Sequence, residues 1–130
     1  MRPIHIAAVL ALVLAGCAGN APGADEAPAP DYLGIDTQVL DTDLVQFHVG
    51  IEGARGPQDV VAYSECAAAQ YALIRGYGFA RHLRTATRRQ GRRWTGNSVY
   101  MISEALPEGL RTIDAEVTVA ACKENGIPTI

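Results

Sequence analysis

The chain has 130 residues, enough for one domain, and its composition of 48% apolar and 19% charged residues is that of a globular protein. A formal net charge of −3 argues against a general polyanion-binding protein. The charge is unevenly distributed, because Asp25 to Glu65 holds nine acidic side chains and one basic one, whereas Arg75 to Arg93 holds seven arginines and no acid. One region of the chain can therefore attract anions even though the whole does not.

The first residues are organised like an export signal. Arg2 supplies positive charge, and Ile6 to Leu14 is an apolar run of nine residues, too short for the roughly 20 residues that span a bilayer. Leu14-Ala15-Gly16-Cys17 follows and resembles the lipobox of bacterial lipoproteins. This resemblance implies cleavage before Cys17, a diacylglyceryl group on its thiol and acylation of the new amino terminus. The alternative is an ordinary secretory signal in which the cysteine occurs by chance.

The lipobox also predicts where the protein works. Cleavage would remove Arg2 and leave ten basic against 14 acidic side chains, a net charge of −4. Each buried CH₂ of an acyl chain contributes about 0.8 kcal/mol, so one chain holds marginally and two or three hold durably. Ala18 rather than Asp follows the cysteine, which by resemblance to the enterobacterial sorting pattern favours the outer membrane. We expect a lipid-anchored protein of the cell envelope, facing the periplasm, with no nucleic acid as partner.

Three segments are predicted along the chain. Residues 1–16 are the signal peptide, and residues 17–36 are a lipidated tether because Pro22, Pro28 and Pro30 oppose regular structure. Residues 37–130 form a small domain.

The domain is predicted to contain four strands and one helix. Strict apolar–polar alternation over 44–52 indicates a half-buried strand. Residues 57–75 are Ala-rich, start with a proline and precede Gly76, which is typical of a helix. Further strands are predicted over 78–88, at Val99–Ile102 with a bulge or bend at Gly96-Asn97, and over 113–122. The order β-α-β-β-β predicts an α+β fold of two layers, with one helix packed on a mainly antiparallel four-stranded sheet.

The remaining two cysteines are predicted to form a disulfide. If Cys17 carries lipid, Cys66 on the helix and Cys122 at the end of the last strand are left, and exported thiols usually pair. Such a bond would stabilise the domain by about 4 kcal/mol in the chain-entropy model. The alternative is two buried reduced cysteines.

An arginine cluster is the candidate binding site. It comprises Arg81, Arg84, Arg88, Arg89, Arg92 and Arg93, with His82 and Trp94 beside it. Arginine binds phosphates and carboxylates with two parallel hydrogen bonds, so lipid headgroups, lipopolysaccharide phosphates, peptidoglycan carboxylates or an acidic protein are the expected anions. The alternatives are a solvated edge that discourages strand pairing, or arginines covered by the acidic segment from Asp25 to Asp43.

No enzyme motif is recognisable. Serines and histidines are present at Ser64, Ser98, Ser103, His48 and His82, but none lies in a nucleophile motif such as G-x-S-x-G. Two separated histidines do not supply a metal site, and no cofactor is indicated. A small periplasmic hydrolase or lipid-modifying enzyme is the alternative, and it requires His48 or His82 within hydrogen-bond reach of a serine or carboxylate.

A second resemblance covers the helix and the segment after it. Ala67-Ala68-Ala69 through Arg75-Gly76-Tyr77-Gly78-Phe79 is similar to a segment of small uncharacterised lipoproteins of alphaproteobacteria. This similarity implies a fold and no activity. The sequence therefore predicts a non-enzymatic envelope lipoprotein that acts as a binding or assembly accessory.

Overall fold

A computed structural model describes residues 16, 28–109 and 111–130 of the chain. Residues 1–15 of the predicted signal peptide, Cys17 and most of the predicted tether lie outside these residues. Five strands and two helices follow one another: β1 Asp31–Val39, β2 Leu44–Glu52, α1 Pro57–Ile74, β3 Phe79–Gln90, β4 Arg93–Ser103, β5 Thr112–Asp114 and α2 Ala115–Glu124. The α+β class with a helix on an antiparallel sheet is confirmed. The sheet has one strand more than predicted and the fold one helix more.

The strands form one sheet in the order β1-β2-β4-β3-β5, and every neighbouring pair is antiparallel. Because β2 and β3 are both antiparallel to β4, they run parallel to each other with β4 between them. Helix α1 connects these two strands and crosses one face of the sheet.

The first strand corrects part of the predicted tether. Residues 31–36 belong to β1, which pairs with β2 along its length. Tyr32 and Ile35 pack on a buried cluster, and the Tyr32 ring meets the Tyr63 ring edge-on with centroids 4.7 Å apart. A register shift between Tyr32 and Gly34 interrupts the strand, so the apolar–polar alternation that reveals a strand is broken.

The core lies between α1 and alternate residues of the sheet. The inward residues of β2 are the apolar ones of the predicted alternation, Val45, Phe47, Val49 and Ile51, and all are buried. In α1 the run of small residues Ala67, Ala68 and Ala69 is fully buried, and alanine allows close approach of the helix to its neighbours. We call the sheet face under α1 the covered face. No helix packs on the opposite face within the described ranges, and we call it the open face.

Strand β4 is regular where a bulge or bend was predicted. The prediction at Gly96-Asn97 is wrong, since the ladder to β2 and β3 passes both residues without a register shift. The irregularity lies in β3, between His82 and Arg84. Glycine is required at position 96 for a different reason. A Cβ there would overlap Cγ1 of Val60 on α1, so the absence of a side chain permits the helix to approach the sheet.

The last predicted strand, 113–122, is wrong beyond residue 114. Only Thr112–Asp114 pairs with β3, and α2 begins at the next residue. The Asp114 side chain caps this helix by accepting a hydrogen bond from the Val117 amide at 3.1 Å. Ala115, Val119 and Cys122 then face inward at helical spacing, while Val117 is exposed. The alternation of small apolar residues imitates a strand because positions 115 and 119 satisfy both periods.

The predicted disulfide is confirmed. Cys66 and Cys122 are bonded with their Cα atoms 6.0 Å apart. Cys122 lies in α2 rather than at a strand end, so the bond ties the two helices to each other. The carboxyl-terminal helix is thereby fixed although little of its own surface is buried.

Candidate binding face

The β3–β4 hairpin distributes the predicted arginine cluster over two faces. Successive residues of a strand point to opposite faces, and the register places Arg84, Arg88 and Arg93 on the open face with Val99 and Thr95. Arg89 is on the covered side, where its guanidinium lies over the Trp94 ring, 5.2 Å from the centroid. The cluster is therefore not a single site.

Two further arginines of the cluster differ in position, since Arg81, the register partner of Met101, shares the open face next to Arg84, whereas Arg92 lies outside the strands. Arg92 is in the turn between β3 and β4, where its carbonyl accepts a hydrogen bond from the Gly53 amide at 2.8 Å. Arg81 lies at the other end of β3 and packs its guanidinium against Gly109. The buried Nε of Arg81 has no hydrogen-bond partner among the described residues.

A groove of about 670 Å³ crosses the open face beside Arg88 and Arg93. Its floor contains Gly34 and Gly50, which are register partners on β1 and β2. Neither has a side chain, so the backbone of Gly34 is exposed there and that of Gly50 is half-buried beside the Leu33 side chain. In the same row across the sheet, Thr95 stands opposite Gly50 and Arg88 stands opposite Thr95.

A second row of the groove carries polar side chains. Asp36, His48 and Asn97 are consecutive register partners across β1, β2 and β4, and all three line the groove. His48 is exposed on the polar parity of its strand, and its Nε2 lies 2.7 Å from Nε2 of Gln46. The Oδ1 atom of Asn97 is buried without a hydrogen-bond partner in the described part of the chain.

The open-face arginines have no acidic partner. Among the described residues the one ion pair joins Arg55 and Asp59 at 2.9 Å, where the Arg55 guanidinium holds the pKa of the Asp59 carboxyl below its usual value. Arg93 is the register partner of Glu52, yet the two side chains form no ion pair. Unpaired arginines beside a groove can bind a carboxylate or phosphate with both guanidinium nitrogens.

The polar groups of the covered face, by contrast, are joined to one another. Nε2 of His82 lies 2.6 Å from the Thr85 hydroxyl, which lies 2.8 Å from the hydroxyl of the fully buried Ser98. The pKa of His82 is lowered mainly by burial and to a smaller extent by the positive charge of the nearby Arg111.

Burial also shifts the pKa values of two other groups, Glu65 and Tyr100. Desolvation raises the pKa of Glu65, and desolvation together with Glu65 raises the pKa of the Tyr100 phenol.

The geometry that the hydrolase alternative requires does not occur in the described residues. His82 reaches Ser98 only through Thr85, and His48 bonds to Gln46. The Ser64 hydroxyl donates to the Val60 carbonyl within its own helix.

The described part of the chain offers neither a metal-binding cluster nor a membrane-spanning helix. No group of three or more His, Cys, Asp or Glu is placed there to hold a metal ion. None of its helices combines the length and the apolar character needed to cross a bilayer.

A family model covers most of the described domain. The family model described as YNQ4 C-terminal domain matches residues 32–126. The chain belongs to the YNQ4 C-terminal domain family. The match begins in β1 and ends just after α2, so the YNQ4 C-terminal domain includes the strand that the sequence assigned to the tether.

One relative extends this assignment. The chain is 30% identical over 115 residues to a Paracoccus denitrificans protein named "Uncharacterized 26.9 kDa protein in nqo8 5'region". The alignment covers 84% of this chain and 45% of the relative. The chain therefore spans less than half of that protein's length. No solved structure matches the chain. The resemblance to uncharacterised proteins of alphaproteobacteria is confirmed at this level, and the lipoprotein assignment stays a prediction.

The sequence identified the two arginines that line the groove, Arg88 and Arg93, and missed two of its polar residues, Asp36 and Asn97. Asp36 was not predicted as a site residue because its segment was assigned to the tether. Asn97 was not predicted because its segment was interpreted as a bulge or bend. The alternation over 44–52 did place His48 and Gly50 on the polar parity, which was the available signal for this face.

Proposed function

We propose that this chain is a lipoprotein of the cell envelope whose domain binds an acidic glycan through the open face of its sheet and catalyses no reaction. Arg84, Arg88 and Arg93 on one face, free of any acidic partner in the described residues, are the observation that carries the proposal. Exposed guanidinium groups bind anions without first breaking an internal ion pair. The shared chemistry of the ligand is a saccharide bearing a carboxylate or a phosphate.

The groove supports a saccharide rather than a bare anion. Its glycine floor gives a flat surface, and Thr95, His48 and Asn97 along it offer hydroxyl, imidazole and amide groups to ligand hydroxyls. Small-molecule sites have this form, with a few convergent polar groups that fix the orientation of the ligand.

A binding experiment with a matched pair of variants tests this function. The lipoprotein, purified in detergent, is mixed with peptidoglycan sacculi in one arm and with vesicles of phosphorylated glycolipid in the other, and the bound fraction is measured. Arg88→Gln/Arg93→Gln should weaken binding at least about tenfold, since two charge-assisted hydrogen-bonding groups are lost. Arg89→Gln/Arg92→Gln removes the same charge from the same hairpin but not from the open face, and should change binding less than about twofold. Equal losses in both double variants, or no binding in either arm, would overturn the proposal.

The anchor belongs to the same proposal and is tested separately. We propose that Cys17 carries the lipid and that the following residues hold the domain away from the membrane. Mass spectrometry of the chain purified from a Gram-negative host should find an amino-terminal, triacylated Cys17. An unmodified Cys17 in an uncleaved chain would remove the anchor and leave the binding face untouched.

A further inference from the structure

The groove carries opposite charges at its two sides. Asp36 lines it on β1, while Arg88 and Arg93 line it on β3 and β4. The sheet order puts β2 and β4 between β1 and β3, and neighbouring strands are about 4.8 Å apart. Measured across the strands, the backbone of Asp36 is therefore about 14 Å from that of Arg88 and about 10 Å from that of Arg93. Charges on the side chains can approach more closely across the groove.

Asp36 is as free as the arginines. Its side chain is exposed and takes part in no ion pair or hydrogen bond among the described residues. A carboxylate contributes nothing to the binding of a purely anionic ligand and opposes it at short range. The same carboxylate is favourable if the ligand carries an ammonium group at the end remote from its anionic group.

The middle of the groove suits a ligand whose central part is polar and uncharged. His48 and Asn97 stand between the two charged sides in the same row as Asp36. The unpartnered Oδ1 of Asn97 provides an acceptor that a ligand N–H can satisfy when the side chain turns, and unsatisfied buried acceptors are costly. Amide groups of a short peptide supply such donors.

We infer that the groove binds a bipolar ligand, with a carboxylate held by Arg88 and Arg93 and a free amine held by Asp36. This inference rests on the proposed function and narrows its ligand to one source: peptidoglycan fragments whose peptide carries both a free amine and a carboxylate. Phosphorylated glycolipid without an amine satisfies only the arginine side of the groove.

Calorimetric titration of the detergent-solubilised lipoprotein with two matched probes tests the inference. One probe is a soluble peptidoglycan fragment with its peptide amine free, and the other is the same fragment after N-acetylation. Acetylation should weaken binding about fivefold to tenfold, the usual effect of losing one charge-assisted contact. Asp36→Asn should cause the same loss for the free amine and none for the acetylated fragment. Asp43→Asn, which removes an exposed carboxylate outside the groove, is the control and should leave both affinities unchanged.

The possible failures are distinguishable. If both fragments bind equally and Asp36→Asn has no effect while Arg88→Gln/Arg93→Gln still abolishes binding, the bipolar ligand is excluded and the proposed function stands. If glycolipid binds the groove and neither fragment does, the bipolar ligand is also excluded. If none of the probes binds, the inference and the proposed function both fail.

Discussion

The two faces of this sheet use the same strands for different purposes. On the covered face the polar groups are joined in a continuous chain from His82 through Thr85 to Ser98, and the apolar residues pack under α1. On the open face Arg88 and Arg93 have no acidic partner in the described residues, and Gly34 and Gly50 place no side chain in the groove. Polar groups that are hydrogen-bonded within the protein stabilise the fold, whereas polar groups without a partner are available to a ligand. Stability and binding should therefore separate by face, and substitutions can test that separation.

The largest effect is expected from the helix pair above the covered face. Cys66→Ala/Cys122→Ala should lower the free energy of unfolding by about 4 kcal/mol, because the disulfide closes a long loop in the unfolded chain. Urea denaturation of the oxidised protein and of the double variant measures the difference. Wild-type protein in reducing agent is the control and should resemble the variant. A loss below about 1 kcal/mol would mean that α2 is held by packing alone.

Glycines on opposite faces should respond differently to the same added methyl group. Gly96→Ala should lower the free energy of unfolding by about 1–3 kcal/mol, because the new Cβ overlaps the fully buried Val60. Gly50→Ala places its Cβ 3.4 Å from the Leu33 Cβ, an ordinary contact, and should cost well under about 1 kcal/mol.

Binding gives the opposite ranking of these two variants. Gly50→Ala fills the groove floor and should weaken glycan binding, while Gly96→Ala in its folded state should bind normally. Thermal denaturation and sacculus binding on both proteins check the pair. Equal destabilisation of the two would contradict the assignment of the faces.

Two neighbouring arginines give a smaller contrast in stability. Arg89→Gln should lower the free energy of unfolding by about 0.5–1 kcal/mol, because it removes the guanidinium over the Trp94 ring. Arg88→Gln should leave stability within about 0.5 kcal/mol of wild type. Urea titrations of both variants, run in parallel, measure the difference, and a larger loss for Arg88 would show that the open face is structural.

The smallest effect is expected from pH, through His82. Its pKa is lowered in the fold by burial and by Arg111, so the unfolded chain takes up a proton more readily as the pH falls through about 6.5. The free energy of unfolding should therefore decrease from pH 7 toward pH 5.5, and His82→Gln should reduce that decrease. An unchanged slope in His82→Gln would assign the pH dependence to other groups.

The sequence predicted the parts of the fold where one local signal dominates. β2 shows uninterrupted alternation and α1 has a proline at its start and Gly76 after its end, so both were found close to their observed bounds. The disulfide was found by elimination, because assigning Cys17 to lipid leaves one pair. β2 and α1 are determined by the local sequence and the disulfide by the cysteine count, so none of the three required knowledge of neighbouring elements.

The errors arose where tertiary contacts override the local pattern. A register shift conceals β1, and α2 imitates a strand until the cap at Asp114 and the bond at Cys122 are considered together. The candidate site was predicted least well, because its residues come together only through the register of four strands. Arg88 could be nominated from the sequence, but its position across the groove from Asp36 depends on the sheet order.

An NMR titration of the side chains tests the central claim most directly. Nε–Hε resonances of the arginines and the indole N–H of Trp94 are recorded while soluble peptidoglycan fragment is added to the labelled lipoprotein. The resonances of Arg88 and Arg93, which line the groove, should shift and saturate together, while those of Arg89 and Trp94 on the covered face stay unchanged. Shifts confined to Arg89 and Trp94, or an absence of any shift at saturating fragment, would contradict the assignment of binding to the open face.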